Sequence, residues 1–211
     1  MSFSLSLLGR KYLMALTGLL LTAFLLVHAA GNSLIFKSKT AFTLYAEHLH
    51  SLGPLLTAAE AFLLAVFLLH ISTGLSLALA NRTAKGRTYA VRRSATGLRG
   101  WPSRIMPFSG AAVLAFLILH LATVRFTGQA LPPAEKIRLA LTNPLSAAGY
   151  ALGLAALGLH ISHGFWSLTQ SLGLSHPRWN WLLKGVAWLA AFLSISVFAA
   201  VILLHLLRQG G

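Results

Sequence analysis

Five stretches of the chain stay apolar long enough to cross a bilayer, and the short segments between them hold nearly all the charge. The runs cover about residues 12–30, 55–80, 107–124, 145–172 and 185–207. A hydrocarbon core about 30 Å thick needs roughly 20 apolar residues in a helix that rises 1.5 Å per residue. The connections contain turn-formers: Gly31-Asn32, Gly53-Pro54, Pro132-Pro133, Asn143-Pro144 and His176-Pro177. Each predicts a helix end. Pro107 predicts the start of the third helix, because a first-turn proline gives up no hydrogen bond the helix needs. The pattern therefore predicts an all-α membrane protein, a bundle of five transmembrane helices forming one domain over 1–211. No internal repeat stands out enough to suggest duplicated halves. The first run lacks a small-residue cleavage site, so it reads as a retained span and not a removable signal peptide.

Composition agrees with that pattern and narrows the chemistry. The 211 residues are 56% hydrophobic and 9% charged, with a mean hydropathy of +0.74, whereas a soluble domain carries roughly a quarter charged residues. Cysteine is absent, which excludes disulfides, thiolate metal sites and cysteine-ligated iron–sulfur clusters. The nine histidines are then the only good transition-metal ligands present in number. Seventeen Lys+Arg against three Asp+Glu would suggest nucleic acid in a soluble protein; here they are topology signals, and no nucleic-acid partner is expected. Arg10, Lys11, Arg82, Lys85, Arg87, Arg92, Arg93, Arg99, Arg104, Arg178 and Lys184 fall on one face. Lys37, Lys39, Arg125, Lys136, Arg138 and Arg208 fall on the other, together with all three acids. The positive-inside rule makes the first face, and so the N-terminus, cytoplasmic.

Ionisable side chains inside a span are costly and normally face the bundle interior, so each is a functional candidate. Four spans carry a histidine at matched depth. His28 lies sixteen residues after Tyr12, His70 fifteen after Leu55, His120 thirteen after Pro107 and His160 fifteen after Leu145, or roughly 20–24 Å from each entry point. Because successive spans alternate direction, His28 and His120 belong to the outer half of the membrane and His70 and His160 to the inner half. Two levels with two imidazoles each is the arrangement expected for two haems stacked across the bilayer, each iron held from both faces. Zinc needs more ligands per site. Gly18, Gly74 and Gly164 are placed where a flat macrocycle or a second backbone approaches closely. His163, one turn from His160, competes with it as ligand or acts as a second donor or propionate contact.

These residues build a recognisable pattern. The chain resembles the cytochrome b membrane subunit of succinate:quinone oxidoreductases (succinate dehydrogenase and fumarate reductase), in the di-haem cytochrome b558 or type B branch. The resemblance runs from Arg10-Lys11 to the last span. Its most specific parts are His28 followed by Gly31-Asn32, the block Ala41-Phe42 through Tyr45 to His48-Leu49-His50-Ser51-Leu52, and the stretch from Glu60 through Phe67-Leu68-Leu69-His70. Leu117-Ile118-Leu119-His120 and His160-Ile161-Ser162-His163-Gly164-Phe165-Trp166-Ser167 complete it. The resemblance implies two b haems with axial ligands at His28, His70, His120 and His160. It also implies a flavoprotein and an iron–sulfur protein as partners on the cytoplasmic face of a bacterial inner membrane, and electron exchange with a membrane quinone, usually menaquinone. The chain would then be a subunit of an enzyme without a dicarboxylate site of its own.

Glu60, the only acid within a span, sits near the outer surface, either as a proton-exchange group for a quinone at the outer haem or as a plain interfacial carboxyl. Glu47, His48 and His50 in the preceding outer loop are candidates to extend such a path. Arg10, Lys11, Arg99 and Arg104 lie nearest the inner helix ends and are the best haem-propionate candidates, while the remaining basic residues of 82–104 suit partner subunits or anionic lipid. The tryptophans are expected as interfacial anchors or core packing. Two other classes remain open: a haem-free transporter or channel relaying protons through intramembrane histidines, and the haem-bearing anchor of another redox complex.

Overall fold

A computed structural model describes residues 6–84, 101–128 and 131–209, with the side chains of 82–84, 101–104 and 208–209 left undescribed. Among the described residues every regular element is helical. In chain order they are α1 (Leu7–Asn32), α2 (Lys39–Ser51), α3 (Pro54–Ala84), α4 (Trp101–His120), α5 (Pro133–Thr142), α6 (Pro144–Ser171) and α7 (Asn180–Gln209). A 3₁₀ turn follows α1 at Ser33–Phe36, and a π-helical turn follows α4 at Leu121–Arg125. Five helical stretches are long and apolar enough to cross a membrane: Leu7–Phe36, Pro54–Asn81, Ile105–Arg125, Pro144–Ser171 and Asn180–Leu207.

The helix ends obey local chemistry. The Ser6 hydroxyl accepts from the Gly9 amide and opens α1. Asn143 Oδ1 accepts from the Leu145 and Ser146 amides at 2.9 and 3.1 Å and opens α6, with Pro144 in the first turn. Gly53 and Gly173 take positive φ, 51° and 73°, at the breaks before α3 and after α6. Three expectations need correction. The first helix begins at Leu7 instead of 12, because Arg10 and Lys11 are good helix formers whose long side chains can leave the apolar layer. Pro107 lies inside α4, which starts at Trp101. The membrane-crossing part begins only at Ile105, so the hydrogen bond that the proline gives up falls near the membrane interface, where water can replace it. Residues 39–51 and 133–142 are helices and not loops. Ser38 caps α2, whose buried residue is Phe42; α5 buries Ala140 and Leu141. On the exposed side of α5, Arg138 donates to Glu135 one turn earlier and holds its carboxyl below the usual range.

The fourth correction is larger: the chain is internally repeated. In α1, Met14 is followed by Thr17-Gly18, Ala23-Phe24-Leu25 and His28; in α4, Met106 is followed at the same spacings by Ser109-Gly110, Ala115-Phe116-Leu117 and His120. In α3 and α6 the sequence Leu-His-Ile-Ser-x-Gly occurs at 69–74 and at 159–164. Each half is thus a long helix, a short amphipathic helix and a long helix, α1-α2-α3 and α4-α5-α6, with α7 added. Chemically dissimilar partners at many positions, such as Glu60 against Tyr150, obscure the repeat.

Packing follows the repeat and then departs from it. α1 packs on α3 and α4 packs on α6, as equivalents should. α7 seals the crevice between α1 and α6, whereas α3 and α4 scarcely touch. The apolar core lies on the sealed side, where Leu154, Leu157, Ile161 and Ala191 pack with Leu25, Phe116, Ile195 and Phe198. Gly153 and Gly158 sit against the side chains of Phe116 and Ile195 and leave room for them. The outer surface is oily: Phe62, Phe108, Leu145, Leu152 and Trp181 are all exposed, which suits lipid and would be ruinous in water.

Candidate functional site

The four span histidines meet as two pairs. His70 and His160 have ring centroids 6.2 Å apart with planes at 76°; His28 and His120 are 6.1 Å apart at 82°. The first pair lies beside Thr17 in the first half of α1 and is called here the near pair. The second lies about eleven residues further along α1, roughly 16 Å at 1.5 Å per residue, and is the far pair. Each pair joins helices that scarcely pack on one another, α3 with α6 and α1 with α4. The rings therefore face each other across an interhelical gap and are only half-buried.

All four rings are engaged at Nδ1. At the near level Thr17 Oγ1 lies 3.0 Å from His70 Nδ1 and Ser109 Oγ 3.1 Å from His160 Nδ1. At the far level Tyr150 Oη lies 3.3 Å from His120 Nδ1 and 2.8 Å from Thr123 Oγ1. Thr123 in turn donates to the Leu119 carbonyl at 2.8 Å. Its proton being so placed, Tyr150 donates to Thr123, and Tyr150 Oη accepts from His120. His28 differs: its Nδ1 has the Asn32 amide nitrogen at 3.4 Å, and that amide donates to the His28 carbonyl at 2.8 Å. Phe24 stacks on His28 at 5.4 Å, Phe198 covers another side, and Phe116 is the counterpart of Phe24 beside His120.

A metal held by both rings of a pair fits this geometry. Metal–imidazole bonds of about 2 Å and the size of the ring put two centroids on opposite sides of one ion roughly 6 Å apart. Among the described residues no group of three or more His, Cys, Asp or Glu gathers around a common point, so each level offers two protein ligands. That suits an ion whose other positions are filled by a flat macrocycle. Two glycines leave room for the near rings: a Cβ at Gly18 would stand 3.3 Å from His70 Cε1, and one at Gly110 would stand 3.4 Å from His160 Cε1. Gly74 makes room instead for Met14, and Gly164 lies beside Met106.

The other candidates are scattered. It is the His160 ring, and not that of His163, that faces His70; His163 is half-buried one turn further on. Glu60 forms an ion pair with Arg125 at 3.3 Å, both side chains about half exposed, linking the start of α3 to the turn after α4. Glu47, His48 and His50 are exposed on helix α2, and His50 Nδ1 bonds back to the Ala46 carbonyl at 2.7 Å. Arg10 is half-buried and Lys11 exposed near the start of α1. Arg99 lies outside the described residues, and Arg104 is in α4 with its side chain undescribed. Lys184 stands 5.1 Å over the Trp166 ring, while Trp179, Trp181 and Trp188 are exposed.

Thr17, Ser109, Gly110, Thr123, Tyr150 and Arg125 were not singled out as site residues by the sequence. The identical spacing from Thr17-Gly18 to His28 and from Ser109-Gly110 to His120 was the available signal for the first three. No protein-family model, characterised protein or solved structure yields a match to the chain.

Proposed function

We propose that this chain is the di-haem membrane anchor of a succinate dehydrogenase or fumarate reductase, carrying electrons between an iron–sulfur subunit and a membrane quinone, with menaquinone the expected one. The observation that carries the proposal is the pairing of His28 with His120 and of His70 with His160 at two levels of one bundle. The motif blocks around those histidines supply the family. Bound b haem would supply one-electron redox chemistry, and two nitrogen ligands per iron favour electron transfer over gas binding. The protein's part is to hold the rings across the gap, exclude water with the apolar bundle, and pass the electron between levels.

Glu60 is proposed as the proton-exchange group for quinone at the far level, beside Arg125 at the side where the bundle is least closed. The face bearing 82–104 is proposed to be cytoplasmic and to receive the flavoprotein and iron–sulfur subunits, with Arg10, Lys11, Arg99 and Arg104 near the near-level propionates. A proton-relaying transporter finds less support, because the His120–Tyr150–Thr123 chain ends on the Leu119 carbonyl, which cannot pass a proton on.

The deciding experiment is a reduced-minus-oxidised visible spectrum of the purified protein with a haem-to-protein ratio. Two b haems per chain are expected; a colourless protein overturns the proposal. An engineered cysteine at Ser94 should label only from the cytoplasmic side of cells, and labelling from outside would reverse the orientation.

A further inference from the structure

We infer that Thr17 and Ser109 are positioning residues that fix the tautomer and orientation of His70 and His160 and thereby tune the redox potential of the near haem. The inference rests on the di-haem reading above.

Both hydroxyls are buried, Thr17 at 3% and Ser109 at 5% exposure, and a hydroxyl has a single proton to place. That of Thr17 goes to the Leu13 carbonyl at 2.8 Å, with the Met14 carbonyl at 3.2 Å. That of Ser109 goes to the Met106 carbonyl at 3.1 Å. Each oxygen therefore faces its imidazole with lone pairs only, and the 3.0 and 3.1 Å contacts are made by an Nδ1–H that donates. A neutral imidazole protonated at Nδ1 carries its free lone pair at Nε2. That is the form a metal can use.

The device occurs twice. In each half the hydroxyl residue is followed at once by a glycine whose missing Cβ leaves the ring edge clear, Gly18 for His70 and Gly110 for His160. Each hydroxyl sits on the first long helix of its half and braces the histidine of the second: α1 serves α3, and α4 serves α6. A buried threonine or serine placed only to satisfy its own helix carbonyl would have no reason to meet an imidazole in both copies. Accepting from Nδ1–H makes the imidazole a stronger electron donor at Nε2, which favours the oxidised metal. Removing the acceptor must then raise the potential of the near haem and leave the far haem where it was.

The test compares Thr17→Val and Ser109→Ala with the conservative Thr17→Ser and Ser109→Thr, using haem stoichiometry, redox titration and the low-temperature EPR signals of the two ferric haems. Support is a positive shift of the near midpoint with a changed near EPR signal in Thr17→Val and Ser109→Ala. The shift should be larger in the double variant, the far haem unmoved, and wild-type values recovered in the conservative pair. Loss of the near haem alone, restored by Thr17→Ser or Ser109→Thr, supports the same role. Two haems with unchanged potentials and signals in both Thr17→Val and Ser109→Ala overturn the inference and leave the di-haem reading standing. Loss of both haems in each of those variants also overturns it, since a positioning hydroxyl acts on one level. A wild-type protein without haem overturns the inference and the reading together.

Discussion

At the near level each imidazole leans on one buried hydroxyl that has already given its proton to its own helix, and the two halves of the chain do this in the same way. At the far level the halves disagree. His120 is braced through Tyr150 and Thr123, His28 has an amide nitrogen at long range, and three phenylalanines crowd the rings. The contrast teaches that a pair of facing imidazoles can be braced by quite different means. The near level solves the problem with the least machinery. The far level adds groups that can meet the bilayer: a tyrosine, an exposed ion pair and two capping helices.

Replacing the proposed ligands breaks the comparison most severely. His70→Ala or His160→Ala should lower the haem ratio from two to one by removing the near haem, and His28→Ala or His120→Ala should remove the far one; optical and EPR spectra tell them apart. A His28→Ala protein that kept the far haem and lost the near one would dissolve the pairing. Next in size is Glu60→Gln. It should retain both haems and succinate oxidation with a dye that takes electrons ahead of this subunit, while quinone-linked turnover drops by about 10²–10⁴ where the proton step is limiting. Wild-type quinone turnover across pH would reduce Glu60 to an interfacial carboxyl paired with Arg125.

A subtler change is expected from Tyr150→Phe, which takes away the acceptor at His120 without opening a cavity. Both haems should stay, with the far midpoint raised and the near one unmoved in a redox titration. An unmoved far midpoint would mean that the 3.3 Å contact does not reach the metal. The smallest effect belongs to His163→Ala, which should keep two haems and at most nudge the near midpoint. Loss of the near haem there would transfer the ligand role from His160 to His163.

The five long helices were legible because lipid imposes a length and a polarity on them, and both are written in consecutive residues. The histidine pairs were legible for a related reason: depth along a helix is counted residue by residue, and alternating direction does the rest. The short helices α2 and α5 were hidden, since about ten mixed residues between turn-formers read equally well as loop. Thr17 and Ser109 were hidden because a hydroxyl in a span normally serves its own backbone, and only the folded chain reveals the ring on its other side. The repeat escaped because lipid-facing positions tolerate any apolar residue, which leaves a shared histidine frame within dissimilar sequence.

The π-helical turn at Leu121–Arg125 follows His120 immediately, and it marks where the two halves part. Up to His120 the two first helices keep step, glycine for glycine and histidine for histidine. Beyond it the second copy takes a wider turn, whereas the first runs on in regular helix to Asn32. Three residues past the histidine the second half places Thr123, and the first has Gly31, whose missing side chain leaves the space taken by the Tyr45 hydroxyl of α2. The two halves thus agree at one end and differ at the other, and the difference starts one residue after His120.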